Sequence, residues 1–442
     1  MGNAAPSRRT SPAPPSHRTP PTRRAALSLL AAAPAAALLT GCNGASTSSG
    51  GRVTLRYFFW GDVIRAELLG KCIKIFESEH PKIRIKSGFV AFDAYFQKLA
   101  TAAAGGNPPD VMHVDFNWVR TLTDHGVLAD LEEFSGPGKE IQPDTIVLAL
   151  RTAGVVEGKR FCLPLAQNSL AMAYDHELWE QAGARPPSWE MSWAEFQDEA
   201  LKVEEFTRGK QAGVDNLARD GNGIELYQLQ HGRQFWTPEG RIGITRDDYR
   251  EYLHYLTDWR RHGGLAGPEV YLESLPADPI AARRTASTIL WDNQLATRVT
   301  QRGGPLALAT PPTHGDVSGL YPKPGILAGV AAESPYRSQG ARFVNFLIND
   351  PRCAEIMGAN IGMPPTTRQA PATGRLKGLD RETLRYERHV ADRQIPTPNP
   401  PGDGGAPLYL YQQRLLERFN YGRVSIDDAV DQFFDQVSVV LA

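Results

Sequence analysis

The chain predicts an α/β protein with mainly parallel sheets, and three observations carry that expectation. Strand and helix patterns alternate from Val53 onward. The segments between strands are long enough to be crossover helices, which parallel pairing requires. With 442 residues, the chain has room for two domains or one large two-lobed body.

The elements follow in order. VTLRYFFWGD is a β-branched and aromatic run that ends in Trp60-Gly61-Asp62. Asp62 is placed to cap the helix DVIRAELLGKCIKIFESEH, which stops before Pro81. KIRIKSGFV reads as a second strand, and FDAYFQKLATAAAGG as a helix closed by Gly105 and Gly106. DVMHVD is a third strand and NWVRTLTDHG a short helix. VEGKRFCLPLAQNSLAMAYD reads as two strands with a bend at Pro164. Helical patterns then dominate, interrupted by the short strands ASTILWDN and PLALATPP and by GILAGVAAES. The helices LYLYQQRLLERFNYG and SIDDAVDQFFDQVSVVLA close the chain, after a Pro/Gly-rich loop, IPTPNPPGDGGAP.

The first fifty residues are of a different kind. No acidic residue precedes Asp62, the segment up to Arg24 is rich in Pro, Ser and Arg, and AALSLLAAAPAAALLT follows. A membrane-spanning helix needs about twenty apolar residues, and this run is shorter and broken by Pro34. A basic head, a short apolar middle and a small-residue end form an export signal, assigned to residues 1–41. Leu39-Thr40-Gly41-Cys42 resembles the lipobox of bacterial lipoproteins, which implies a diacylglycerol on the Cys42 sulfur. NGASTSSGG then serves as a flexible tether, residues 42–51 including the cysteine. One acyl chain holds a protein only marginally and two hold it stably, so a lipid anchor to the membrane is expected.

Composition excludes several partners. The 48 basic and 49 acidic residues give a formal net charge of -1, which argues against nucleic acid. Cys72, Cys162 and Cys353 lie far apart without a CxxC motif or a histidine cluster, so no metal and no cofactor is called for. Cys72 shares a helical stripe with Leu68, Leu69, Ile75 and Phe76 and reads as a small buried hydrophobe; no disulfide is expected. GxSxG, HExxH and GxGxxG are absent from the sequence, so no catalytic residue is assigned.

The segment order resembles that of the extracellular solute-binding proteins of carbohydrate ABC importers, the maltose-binding-like group. The matching stretches are the strand ending FFWGD, the helix ending FESEHPKIRIK, YFQKLATAAAGGNPPDVMHVD, DHGVLADLEEF and GKRFCLPLAQNSLAMAYDHELWEQAGARPPSWEMSWAEF. GILAGVAAESPYRSQGARFVNFLIND completes the set. The resemblance implies a periplasmic-binding-protein-like fold of two α/β lobes joined by a hinge. Its crossings are expected near residues 164–168, near 324–329 and before 395–401. Residues 52–166 and 328–394 then form the first lobe, and 167–327 and 395–442 the second. It further implies a monomer on the outer face of the cell membrane that passes a carbohydrate ligand to ABC importer permease subunits. A glycan-acting surface lipoprotein enzyme, or a binder of a non-sugar solute, is the alternative.

The chemistry of sugar recognition selects the candidate residues. Sugar C–H faces stack on aromatic rings, and hydroxyls seek carboxylate and amide partners; each stack contributes about 0.5–1.5 kcal/mol beyond area burial. Ligands of open α/β sheets bind at the carboxyl ends of strands. Trp60 and Asp62 end the first strand, and Asp115 and Trp118 follow the third. Phe92 and Asp93 open the second helix, and Asn168 follows Pro164. Trp291, Asp292 and Asn293 follow the strand STIL, and Trp236 is a further candidate. Trp179, Trp193 and Trp259 sit in apolar helical patterns and read as core.

Overall fold

The computed structural model describes residues 51–218 and 221–441, besides Gly2. The export signal, Cys42 and nearly all of the tether lie outside the described residues. Among the described residues there are ten strands: β1 Val53–Trp60, β2 Ile83–Val90, β3 Val111–Val114, β4 Val155–Val156, β5 Lys159–Arg160, β6 Cys162–Asn168, β7 Leu170–Tyr174, β8 Ser287–Trp291, β9 Ala307–Ala309 and β10 Lys323–Val330.

The first sheet has the order β2-β1-β3-β10-β6. β1 pairs in parallel with β2 and β3, while β10 runs antiparallel to both β3 and β6. Four of its strands thus point one way and β10 the other. The helices Val63–Glu79 and Phe92–Ala104 are the crossovers between β1, β2 and β3. Asp62 caps the first of them by accepting from the Arg65 N–H at 2.8 Å. Alternation along β1 buries Leu55, Tyr57 and Phe59 in the first core, with Val111, Val114, Phe343 and Ile348.

The second sheet has the order β8-β7-β9, with both pairings antiparallel. Parallel bridges extend it beyond β8, from Ala212 to Thr285 and from Val214 to Leu265. One reversed strand, β7, again sits among strands of common direction. The second core gathers Phe196, Tyr249 and Leu256 with Trp179, Trp193 and Trp259, the three tryptophans that the helical patterns assign to a core. Trp179 stacks on Phe196 with centroids 5.6 Å apart.

The chain passes between the sheets at Ser169, where β6 ends and β7 begins. In place of two strands bent at Pro164, Pro164 lies inside β6, opposite Leu327 of β10, with a register irregularity at Leu165 beside it. β6 is the edge strand of its sheet, a position in which proline is tolerated. β10 brings the chain back, and its register against β6 shifts between Pro324 and Ile326. The helix Gly378–Val390, which the sequence reading groups with the first lobe, buries Tyr386 and Val390 in the second core. Its Tyr386 hydroxyl donates to the Leu170 carbonyl. The closing helices Gly405–Asn420 and Ile426–Val440 pack there through Leu408, Leu416, Phe419 and Phe433.

Candidate functional site

Where the strand ends of the two sheets face each other lies a cleft of about 800 Å³. The first lobe lines it with Trp60, Asp62, Arg65, Phe92, Asp115 and Asn117. The second supplies Asn222, Trp291, Asn293, Tyr409 and Gln413. The crossing strands contribute Asn168, Lys323 and Gly325, and the segment Glu355–Asn360 and Asp380 complete one side.

The aromatic residues divide by exposure. Trp60 reaches the cleft but is only 7% exposed. Its ring meets Tyr95 and His113 edge to face at 5.1 Å, Phe92 at 5.5 Å and Trp118 at 6.0 Å. Phe92 is 47% exposed and lies flat on Trp118, 5.5 Å away. Trp118 does not reach the cleft wall; the short turn after β3 folds it back into the first core. The open ring of the first lobe is therefore Phe92, with Trp118 beneath it. Across the cleft, Trp291 is half-buried, with the Lys323 ammonium 4.4 Å from its ring centroid.

The polar residues are positioned by local geometry. Asp115 Oδ1 accepts from the Asn117 N–H at 2.9 Å and caps the turn after β3. Asp115 lines the cleft although it is only 7% exposed. Arg65 donates to the Trp60 carbonyl at 3.2 Å, and to both the carbonyl and the side-chain oxygen of Asn360 at 3.0 Å. Burial lowers its pKa. Asn168 is wedged between Gly325 and Gly362, where a Cβ on either glycine would overlap its amide.

Besides Trp118, Asp292 and Trp236 lie off the wall. Asp292 is wholly buried. The alternation that turns Trp291 outward turns the next side chain inward, toward Glu387. Burial, then the Glu387 charge, raises the Asp292 pKa well above the carboxylate range. Trp236 lines a separate chamber of about 70 Å³ with Phe116, Glu225 and Tyr321, which Asn117, Lys323 and Tyr409 connect to the cleft. There the Tyr321 hydroxyl donates to Glu225 at 2.9 Å, and burial raises the Glu225 pKa. Asp93 occupies the second position of its helix.

Arg65, Asn222, Lys323, Asp380, Tyr409 and Gln413 were not foreseen as cleft residues. Lys323 alone had a signal, since it precedes Pro324 in an expected crossing. Among the described residues no cluster of three His, Cys, Asp or Glu side chains is placed to hold a metal, and no helix is long and apolar enough to cross a membrane.

Two α/β cores with a deep polar and aromatic cleft between their strand ends define a binding protein of the solute-capturing class. Residues 56–351 match the family of bacterial extracellular solute-binding proteins, and the chain belongs to that family. An extracellular solute-binding protein of family 1 from Alicyclobacillus acidocaldarius superposes with a TM-score of 0.67 at 25% identity, over 88% of this chain and 98% of that one. A mannitol-binding protein of Pseudomonas aeruginosa is 25% identical over 46% of each chain. The diacetylchitobiose-binding protein DasA of Streptomyces coelicolor is 30% identical over 25% of each. The chain spans less than half the length of the curated relatives it matches.

Proposed function

We propose that the protein captures a carbohydrate, a mono- or oligosaccharide, between its lobes and delivers it to an ABC importer while anchored to the outer face of the membrane through Cys42. One observation carries this reading: Phe92, Trp60 and Asp115 on one lobe face Trp291 and Asn293 on the other across a single cleft. Rings for sugar C–H faces and carboxylates or amides for hydroxyls are the pairing sugars need. The relatives that bind mannitol and diacetylchitobiose support the same class. The volume of about 800 Å³ lies within the range of small-molecule sites. Passage of the chain between the sheets at Ser169 and its return through β10 suit a hinge on which the lobes close over ligand. Lobe limits follow the two cores, and the working form is a monomer.

Calorimetry against a panel of polyols, mono- and oligosaccharides tests the proposal. The expected result is saturable binding of at least one sugar, with no turnover by product analysis. Binding confined to peptides or polyamines, or measurable hydrolysis of a glycan, would overturn it. Solution scattering should show a smaller radius of gyration with the bound sugar.

A further inference from the structure

Cys72, Cys162 and Cys353 are all buried and unbridged. Two of them lie on neighbouring helices of the same core. Cys72 is in the helix Val63–Glu79 and Cys353 in the helix Pro351–Met357, and both are buried in the first core, where the Cys72 thiol and burial together raise the Cys353 pKa.

The two helices are tied together on either side of Cys72. Arg65, about two helical turns before Cys72, binds Asn360 beyond the end of the partner helix. Glu79, about two turns after Cys72, accepts from Arg352 Nη2 at 2.6 Å. Contacts at both ends thus hold the helix Val63–Glu79 against the segment 351–360 in which Cys353 lies.

We propose that Cys72 and Cys353 form a disulfide when the chain folds in an oxidising medium, the condition that the export reading would supply. An external disulfide, small or on a thiol oxidoreductase, is the oxidant. One thiolate attacks it, releases one external thiol and leaves a mixed disulfide. The second cysteine then attacks its partner's sulfur and releases the other external thiol. Two protons and two electrons leave the cysteines, and the external disulfide is reduced to two thiols.

Timing follows from burial. Cys72 and Cys353 are 0% and 1% exposed, and the Cys72 thiol, with burial, raises the Cys353 pKa far above the thiol range. The folded pair therefore resists attack, and bridging belongs to folding or to opening of the helix Pro351–Met357. The consequence reaches the cleft. The first helix carries Arg65 and follows Asp62, while the second leads into Gly358–Asn360. A bridge would tie these two parts of the first-lobe wall together.

The full chain carrying Cys42→Ala, which leaves three cysteines, is reduced, unfolded and refolded in a glutathione redox buffer. It is then alkylated under denaturing conditions without reductant and mapped by mass spectrometry. The expected product is a cross-linked Cys72–Cys353 peptide with Cys162 alkylated, and a thermal midpoint that falls on the order of 5 °C on reduction. That fall should vanish in Cys72→Ala/Cys353→Ala. Quantitative alkylation of both cysteines in the refolded protein, or a bridge to Cys162 instead, would overturn the proposal. Since the buffer supplies the oxidant, failure here leaves the export reading standing.

Discussion

Phe92 lies on Trp118 with the two ring planes 14° from parallel and the centroids 5.5 Å apart. Phe92 is the exposed member and Trp118 the buried one. Removing Phe92 should take one sugar platform from the cleft: Phe92→Ala is expected to cost about 1–2 kcal/mol of binding, roughly tenfold in affinity. The ligand-free protein should lose little stability. Trp118→Ala should show the opposite balance, with about 3–5 kcal/mol lost from the fold as a core cavity opens. Calorimetry and ligand-free denaturation of both variants check the pair. A fold-destabilising Phe92→Ala with unchanged affinity would remove it from the site.

Asp115 has two duties that one substitution pair separates. Oδ1 holds the Asn117 N–H, and the residue lines the cleft. Asp115→Ala should lose both the cap, about 1 kcal/mol of stability, and the ligand acceptor. Asp115→Asn keeps an oxygen for the cap, so stability should stay near wild type while affinity still falls about tenfold or more, because a charged acceptor is gone. Equal affinity of wild type and Asp115→Asn would show that the carboxylate does not meet ligand.

Local pattern made much of this legible. Alternation in VTLRYFFW announced β1, and its end put Trp60 at the cleft. The reversed strands β7 and β10 were not legible, because their direction depends on which sheet the chain has just left. Asp292 looked like a ligand partner beside Trp291, yet one step along an extended chain turns a side chain to the other face. Lys323 is marked in sequence only by its place before Pro324 in an expected crossing, and the fold alone sets it over Trp291. Tyr409 and Gln413 come from a helix nearly a full chain away from Trp60 and join the wall when that helix folds back.

At the crossing, Gly325 stands against the Asn168 amide so closely that a Cβ would overlap it, whereas the Asn168 Cβ lies 3.9 Å away. Gly325→Ala should therefore destabilise the protein by about 1–3 kcal/mol, as overpacking does. Adding Asn168→Ala removes the clashing amide and should recover most of that loss. A denaturant series on the two single variants and the double variant measures the coupling. Additive losses would show that the strain lies elsewhere.

Lipidation is tested at Cys42. Wild type should incorporate labelled fatty acid and sediment with membranes, while Cys42→Ala should do neither, since the proposed diacylglycerol anchor needs that sulfur. Equal labelling of the two would sink the anchor.

Asp292 carries the pH dependence. Its carboxyl is buried against Glu387, next to the Ser169 and Asn293 backbone and near Tyr386, and its pKa in the fold is raised. In the unfolded chain an aspartate titrates near about 4. Below that value both states hold the proton and the group favours neither. As pH rises past it, the unfolded chain releases the proton while the folded one retains it, so the native state binds more protons and stability falls. The fall continues up to the raised folded value. Asp292→Asn keeps the shape and has no proton to lose. It should match wild type near pH 4 and exceed it by a margin that grows toward neutral pH. Urea midpoints of the two proteins from pH 4 to 8 measure that margin, and parallel curves would show that Asp292 is not the group responsible.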